Sequence, residues 1–101
     1  MESRVVDNAE RSRFELRSGD EVIGFAEYHV RGDELDFVHT EVNPGHEGRG
    51  LGGRLVRSAL DTARQRRATV VPHCTFVRDW IGAHRDYLDL VPERLRPEFG
   101  L

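Results

Sequence analysis

Four glycines in six residues, Gly48, Gly50, Gly52 and Gly53, stand between a segment that reads as strand and one that reads as helix. Upstream, Asn43-Pro44-Gly45 ends the strand, because proline cannot donate to a ladder and glycine releases the backbone into a turn. Downstream, Leu51, Leu55, Ala59, Leu60 and Ala63 recur at three- and four-residue spacing, a single apolar stripe, while Arg54, Arg57, Asp61 and Arg64 fall on other faces. The glycines therefore crowd the first turn of a helix. Unpaired N–H groups and the dipole favour an anion there, and the missing Cβ atoms let a phosphate approach closely. A tight strand-to-helix turn alone needs fewer of them.

Around this turn the chain alternates in a definite order. Residues 13–17, 21–30 and 34–42 read as an antiparallel meander, separated by the turn signals Ser18-Gly19-Asp20 and Arg31-Gly32-Asp33. In the third run, alternation places Leu35, Phe37 and His39 on one face and Asp36, Val38 and Thr40 on the other. After the helix, Ala68-Thr69-Val70-Val71-Pro72 reads as a short buried strand. Phe76 to Ala83 reads as a second helix with Phe76, Val77, Trp80 and Ile81 on its apolar side and Thr75 as N-cap. The segment from Arg85 to Leu101 has an apolar cluster of Tyr87, Leu88, Leu90 and Val91, then Pro92 and Pro97, and is expected to fray at its end. Strand, turn, helix and strand form one crossover, so the strands at Val42 and Thr69 should run parallel in a mixed sheet. The expected class is α/β (α+β), one domain over residues 1–101.

Composition narrows the partners. With 38% apolar and 33% charged residues the core is thin, and the expectation is a monomer or, where a partner subunit completes an apolar edge, a weak homodimer. The net charge of −3 is spread along the chain, which argues against nucleic-acid and membrane binding. No segment approaches the ~20 apolar residues of a membrane span, and together with the single cysteine, Cys74, this leads to the expectation of a cytoplasmic, reducing setting. All 15 basic residues are arginine. No His or Cys pair has helical metal spacing, so no metal is expected.

Three phosphate-loop patterns compete for the glycine turn. The P-loop fails because Gly45 and Gly50 lead into Leu51-Gly52 instead of Lys and Ser or Thr. The dinucleotide pattern G-x-G-x-x-G is present at Gly48, Gly50 and Gly53, but antiparallel hairpins precede it and no acidic residue follows Val71 to hold a ribose. The third pattern is the run from Glu41 to Val56, which resembles the acetyl-CoA signature of the GNAT N-acetyltransferase superfamily. The downstream stretches Val71 to Ile81 and His84 to Tyr87 resemble the second half of its very short GNAT-like subfamily, which carries a Cys after the second parallel strand.

That resemblance implies a GNAT-like fold and acetyl-CoA or coenzyme A as ligand. It places pantetheine along Val42 and the pyrophosphate on the amides of Glu47, Gly48, Arg49, Gly50, Leu51 and Gly52, with Arg78 adding charge from the downstream segment. Glu47 departs from the usual Gln or Arg. The strand amide near Glu41 or Val42 is expected to face the developing oxyanion. Larger family members often place a tyrosine on the last helix as the acid, but Trp80 stands there and Tyr87 only lies further along. Cys74, following a strand and preceding a helix N-terminus that favours a thiolate, is a candidate acyl carrier or site-lining thiol. His39 and Glu41, two apart on one strand, share a face and are candidate base and orienter for an amine. The expected activity is acetyl transfer from acetyl-CoA to a small-molecule or peptide amine. The alternative is a noncatalytic acyl-CoA-binding or regulatory module.

Overall fold

A computed structural model describes residues 3–46 and 48–101. They form a five-stranded sheet in the order β1 (Arg4–Asn8), β2 (Arg13–Ser18), β3 (Glu21–Arg31), β4 (Glu34–Val42) and β5 (Thr69–Pro72), antiparallel throughout except where β5 runs parallel to β4. Helix α1 (Leu51–Gln65) touches all five strands, and α2 (Thr75–Ala83) packs on α1, β4 and β5. The mixed sheet and the crossover are as the sequence indicates. No helix among the described residues is long and apolar enough to cross a membrane.

β1 is the element that sequence reading missed. Val5 and Val6 are too short an apolar run to declare a strand alone, and only pairing with β2, Val5 opposite Leu16 and Asp7 opposite Phe14, organises them. Two other expectations also fail. Cys74, in extended backbone, is the N-cap of α2, and Thr75 is its first residue. The tail is not frayed: Arg85–Leu90 and Glu93–Phe99 are 3-10 helices, Tyr87, Leu90 and Val91 are buried, and the Leu101 N–H donates to the Arg96 carbonyl. Its prolines fit 3-10 turns, which do not need a continuous i to i−4 ladder.

The decisive irregularity is in β4. Glu27 pairs with His39 and Tyr28 with Phe37, so Val38 is an extra residue, a β-bulge. Strict alternation breaks there. Before the bulge, Leu35 and Phe37 face the helices; after it Thr40 and Val42 do, lying beside Ala26 and Gly24, which in turn lie beside Phe14 and Leu16. His39 and Glu41 are thereby turned to the opposite face, in rows with Glu27 and Phe25. The expected grouping of His39 with Leu35 and Phe37, and of Thr40 with Asp36, is reversed for this reason.

Under α1, the Tyr28 hydroxyl donates to Asp7 Oδ1 at 2.6 Å, and Arg66 holds Asp7 Oδ2 at 2.7 Å. Burial, followed by the bond to Asp7 and its charge, pushes the Tyr28 phenol from its ordinary 10 up to about 12. Because the folded value lies above the unfolded one, this contribution to stability is complete below about pH 10 and disappears as pH rises through about 12. Tyr28→Phe should cost about 1 kcal/mol at neutral pH. It should also lose less stability than the parent across that alkaline window, as read from urea melts on either side of it. An equal decline in both proteins would contradict the assignment.

Candidate active site

The last rung joining β4 to β5 is the Cys74 N–H donating to the Phe37 carbonyl at 2.7 Å, one step past the pairing of Phe37 with Pro72. Beyond it the strands part, and β4 continues with β3 on one side and no described strand on the other. The Asn43 N–H donates to Ile23, which makes the position of Glu41, two residues back, one that also bonds to β3. Thr40 and Val42 alternate with these, so their N–H and C=O groups point to the open edge. Of the two amides expected near an oxyanion, that of Glu41 is consumed by the sheet and that of Val42 is free of it.

The glycine turn lies at the end of this edge. Gly50 is the N-cap of α1 with φ of 70°, and no side chain caps the helix. The first helical bond is from the Arg54 N–H to the Gly50 carbonyl, so the amides of Leu51, Gly52 and Gly53 have no partner within the helix. The first turn carries no acidic residue. These residues line a cavity of about 420 Å³ with Gly48, Gly50, His46, Val42, Thr40 and Phe76. The cavity is apolar along Val42, Leu51 and Phe76, rich in amide donors at the loop, and bordered on the strand side by Thr40.

Two of the glycines serve packing as much as access. A Cβ on Gly52 would stand 2.7 Å from Cζ of Phe76, and one on Gly53 would stand 3.3 Å from Nε1 of Trp80. Phe76, expected in the core, is 44% exposed and forms a wall of the cavity; Trp80 is buried.

The other expected residues divide. Val42, Gly48, Gly50, Leu51 and Gly52 line the cavity, and Arg49 faces an adjoining recess with His46 and Leu51. Glu47 lies outside the described residues. Arg78 is not brought to the cavity: its guanidinium bonds Asp79, and it borders a separate groove with Pro97 to Leu101. Arg54 is engaged with Ser3. His39 and Glu41 do meet, Nε2 to Oε1 at 3.6 Å, half exposed on the face away from the helices. Cys74 is 7% exposed and its thiol donates to Thr40 Oγ1 at 3.3 Å. His73 turns away from it, with Nδ1 2.7 Å from the buried carboxylate of Asp36.

Tyr87 is buried, and its hydroxyl donates to Asp61 at 2.7 Å and accepts from Arg57 at 3.2 Å. The Asp61 bond, with burial behind it, pushes the phenol up. Trp80 is stacked on His84 at 3.9 Å and lies under Arg57. The helix aromatics are thus structural, except Phe76. Sequence reading missed Thr40, Phe76 and His46 as lining residues. Thr40 was hidden by the bulge, and Phe76 by an apolar periodicity that suits core and cavity wall alike.

Residues 13–90 match the family profile described as GCN5-related N-acetyl-transferase. The chain belongs to this family. It is accordingly an enzyme of the GNAT acyltransferase type. Among solved structures, an NMR structure of a GCN5-like protein from Staphylococcus aureus, proposed to be an N-acetyltransferase, superposes with a TM-score of 0.68 at 19% identity, covering 88% of this chain and 87% of that one. The ribosomal-protein-S18-alanine N-acetyltransferase of Escherichia coli superposes with a TM-score of 0.54 at 22% identity, over 69% of this chain and 42% of that one. At these identities the likeness is one of fold. Comparison with curated protein sequences finds no match.

The packing of Gly52 gives a direct test. Gly52→Ala gains about 1 kcal/mol of helix propensity, while the half-exposed Phe76 ring can yield at little cost. A crystal structure of the variant should show Phe76 displaced by roughly the 0.7 Å that separates 2.7 Å from the ordinary 3.4 Å contact, with the thermal midpoint raised by about 4–8 °C. An unmoved ring would show that α1 and α2 are not in contact as described.

Proposed function

We propose that this protein transfers an acetyl group from acetyl-CoA to an amine by direct attack of the amine on the thioester. The observation that carries this reading is a single cavity in which uncapped first-turn amides adjoin the open edge of a strand. Acetyl-CoA needs an anion site for its pyrophosphate and an extended amide-pairing site for pantetheine. The Leu51, Gly52 and Gly53 amides, with the Gly48–Gly50 loop and Arg49, fit the first, and the free backbone of Thr40 and Val42 fits the second. Val42, Leu51 and Phe76 flank the arm. Arg78, bonded to Asp79 beside another groove, is left out of the phosphate set.

The thioester then belongs where β4 and β5 part, with the Val42 amide serving the carbonyl oxygen as negative charge develops. Glu41 and His39, on the far face of the same strand segment, are the base and its partner for an amine arriving from that side. Cys74 is enclosed and engaged with Thr40, which favours direct attack over an acetylated cysteine. The Escherichia coli neighbour is named for an alanine of ribosomal protein S18, and a peptide amine is one acceptor class to test beside small amines. A binding module without turnover is the second reading, and the engagement of Tyr87 with Asp61 and Arg57 favours it by removing the helix acid.

Calorimetry with coenzyme A should show saturable binding, and none at millimolar ligand would overturn both readings. Thiol release from acetyl-CoA should appear with at least one member of a panel of small amines and free N-terminal peptides. Glu41→Gln should then reduce turnover about 10²-fold or more, with coenzyme A affinity unchanged. An acetyl group carried by the parent protein and lost in Cys74→Ala would point to the covalent route. Binding without turnover on any amine would select the module.

A further inference from the structure

The proposed reaction leaves one need unmet: a proton for the departing thiolate. Trp80 offers none, and the Tyr87 hydroxyl is held by Asp61 and Arg57. The cavity holds another candidate on its strand wall. Thr40 lines it, and its Oγ1 accepts the thiol proton of Cys74 at 3.3 Å, so the hydroxyl's own hydrogen is left to be donated elsewhere. The bulge at Val38 is what places Thr40 on this face. Cys74 is 7% exposed and stands at the final rung between β4 and β5, behind Thr40 and beside the parting of the strands.

We infer that Thr40 is the catalytic acid of the transfer, handing its hydroxyl proton to the coenzyme A sulfur and taking the Cys74 thiol proton in its place. The inference rests on the reading that the cavity binds acetyl-CoA. In the step, the amine nitrogen forms the C–N bond and the C–S bond breaks with its electron pair on sulfur. Thr40 protonates that sulfur and Cys74 reprotonates Thr40; once coenzyme A has left, the cysteine thiolate regains through Thr40, from solvent in the opened cavity, the proton that the amine nitrogen gave up to its base and thence to solvent. Atoms and charge balance to amide plus free thiol. A threonine hydroxyl alone is far too weak an acid for this, and the thiol that donates to it supplies the proton that makes the transfer a relay from one thiol to another. Cys74 is then a proton reservoir acting through Thr40, which accounts for its enclosure.

The test uses bound coenzyme A itself. Cys74 is the chain's only cysteine, so in Cys74→Ala the ligand carries the only thiol of the complex and its ionisation is read by thiolate absorbance in the ultraviolet. A hydroxyl donating to that sulfur stabilises the thiolate. The bound thiol should therefore ionise about one pH unit lower in Cys74→Ala than in Cys74→Ala/Thr40→Val, and Thr40→Ser on the same background should restore the lower value. Identical titrations of the valine and threonine proteins, both with coenzyme A bound by calorimetry, would overturn the relay and leave the binding reading standing. Failure of the parent protein to bind coenzyme A would overturn the reading and the relay together. Failure of Thr40→Ser to restore the lower value would show that the valine effect came from shape and not from the hydroxyl, and would also overturn it.

Discussion

One displaced residue in β4 decides which side chains meet the cavity. Without the extra residue at Val38, alternation from Phe37 would carry His39 and Glu41 into the helix layer and turn Thr40 and Val42 outward. Burying an uncompensated carboxylate costs several kcal/mol, and the cavity would lose its apolar wall and its hydroxyl together. The bulge lies one residue past Phe37, whose carbonyl takes the last bond from β5. Change of face and parting of strands thus fall at the same point. The backbone freed by the second is served by side chains turned by the first.

The helices reinforce this arrangement by close approach. With no Cβ at Gly52 or Gly53, α2 brings Phe76 and Trp80 against the first turn of α1, so the anion-favouring amides and the apolar wall belong to one rigid contact. Trp80 is enclosed by His84, Arg57 and Tyr87, and Tyr87 is tied to Asp61. In a chain of 101 residues, where the core is thin, these polar aromatics serve to hold α1, α2 and the tail together. They are therefore not available for chemistry in the cavity, and polar function there devolves onto the strand.

The strand order from β2 onward, the parallel crossover and the helix stripe were legible because each rests on a local signal: turn residues, period two, period 3.6. The cavity's loop was legible for the same reason, since four glycines in six residues at a helix start exceed what a turn alone needs. What was not legible depends on non-local geometry. β1 exists only through its pairing with β2. The bulge has no residue signature at Val38, so the faces of His39 and Thr40 were read in reverse. Phe76 has the spacing of a core residue and becomes a wall only because Gly52 leaves room beside it. Arg78 sits in the segment that resembles the family, yet its neighbour Asp79 and the tail draw it to another groove.

The two faces of the sheet divide the proposed reaction. The helix face is filled by α1, α2 and the cavity, so an acceptor reaches the parting of β4 and β5 from the other side, across rows in which Glu15, Phe25 and Glu41 lie side by side. Glu15 is buried there, yet it stays ionised. Burial acts to raise its carboxyl, but bonds from Arg17, Arg13 and Asn8 together outweigh it and hold the group below its usual range. Arg13 also lies 4.6 Å from the centre of the Phe25 ring. Both arginines of this row are thus committed to Glu15 and Phe25, and the Glu15 carboxylate offsets one of their two positive charges. Glu41, half exposed and paired with His39, lies at the end of this row beside the open edge, where the proposed base is needed.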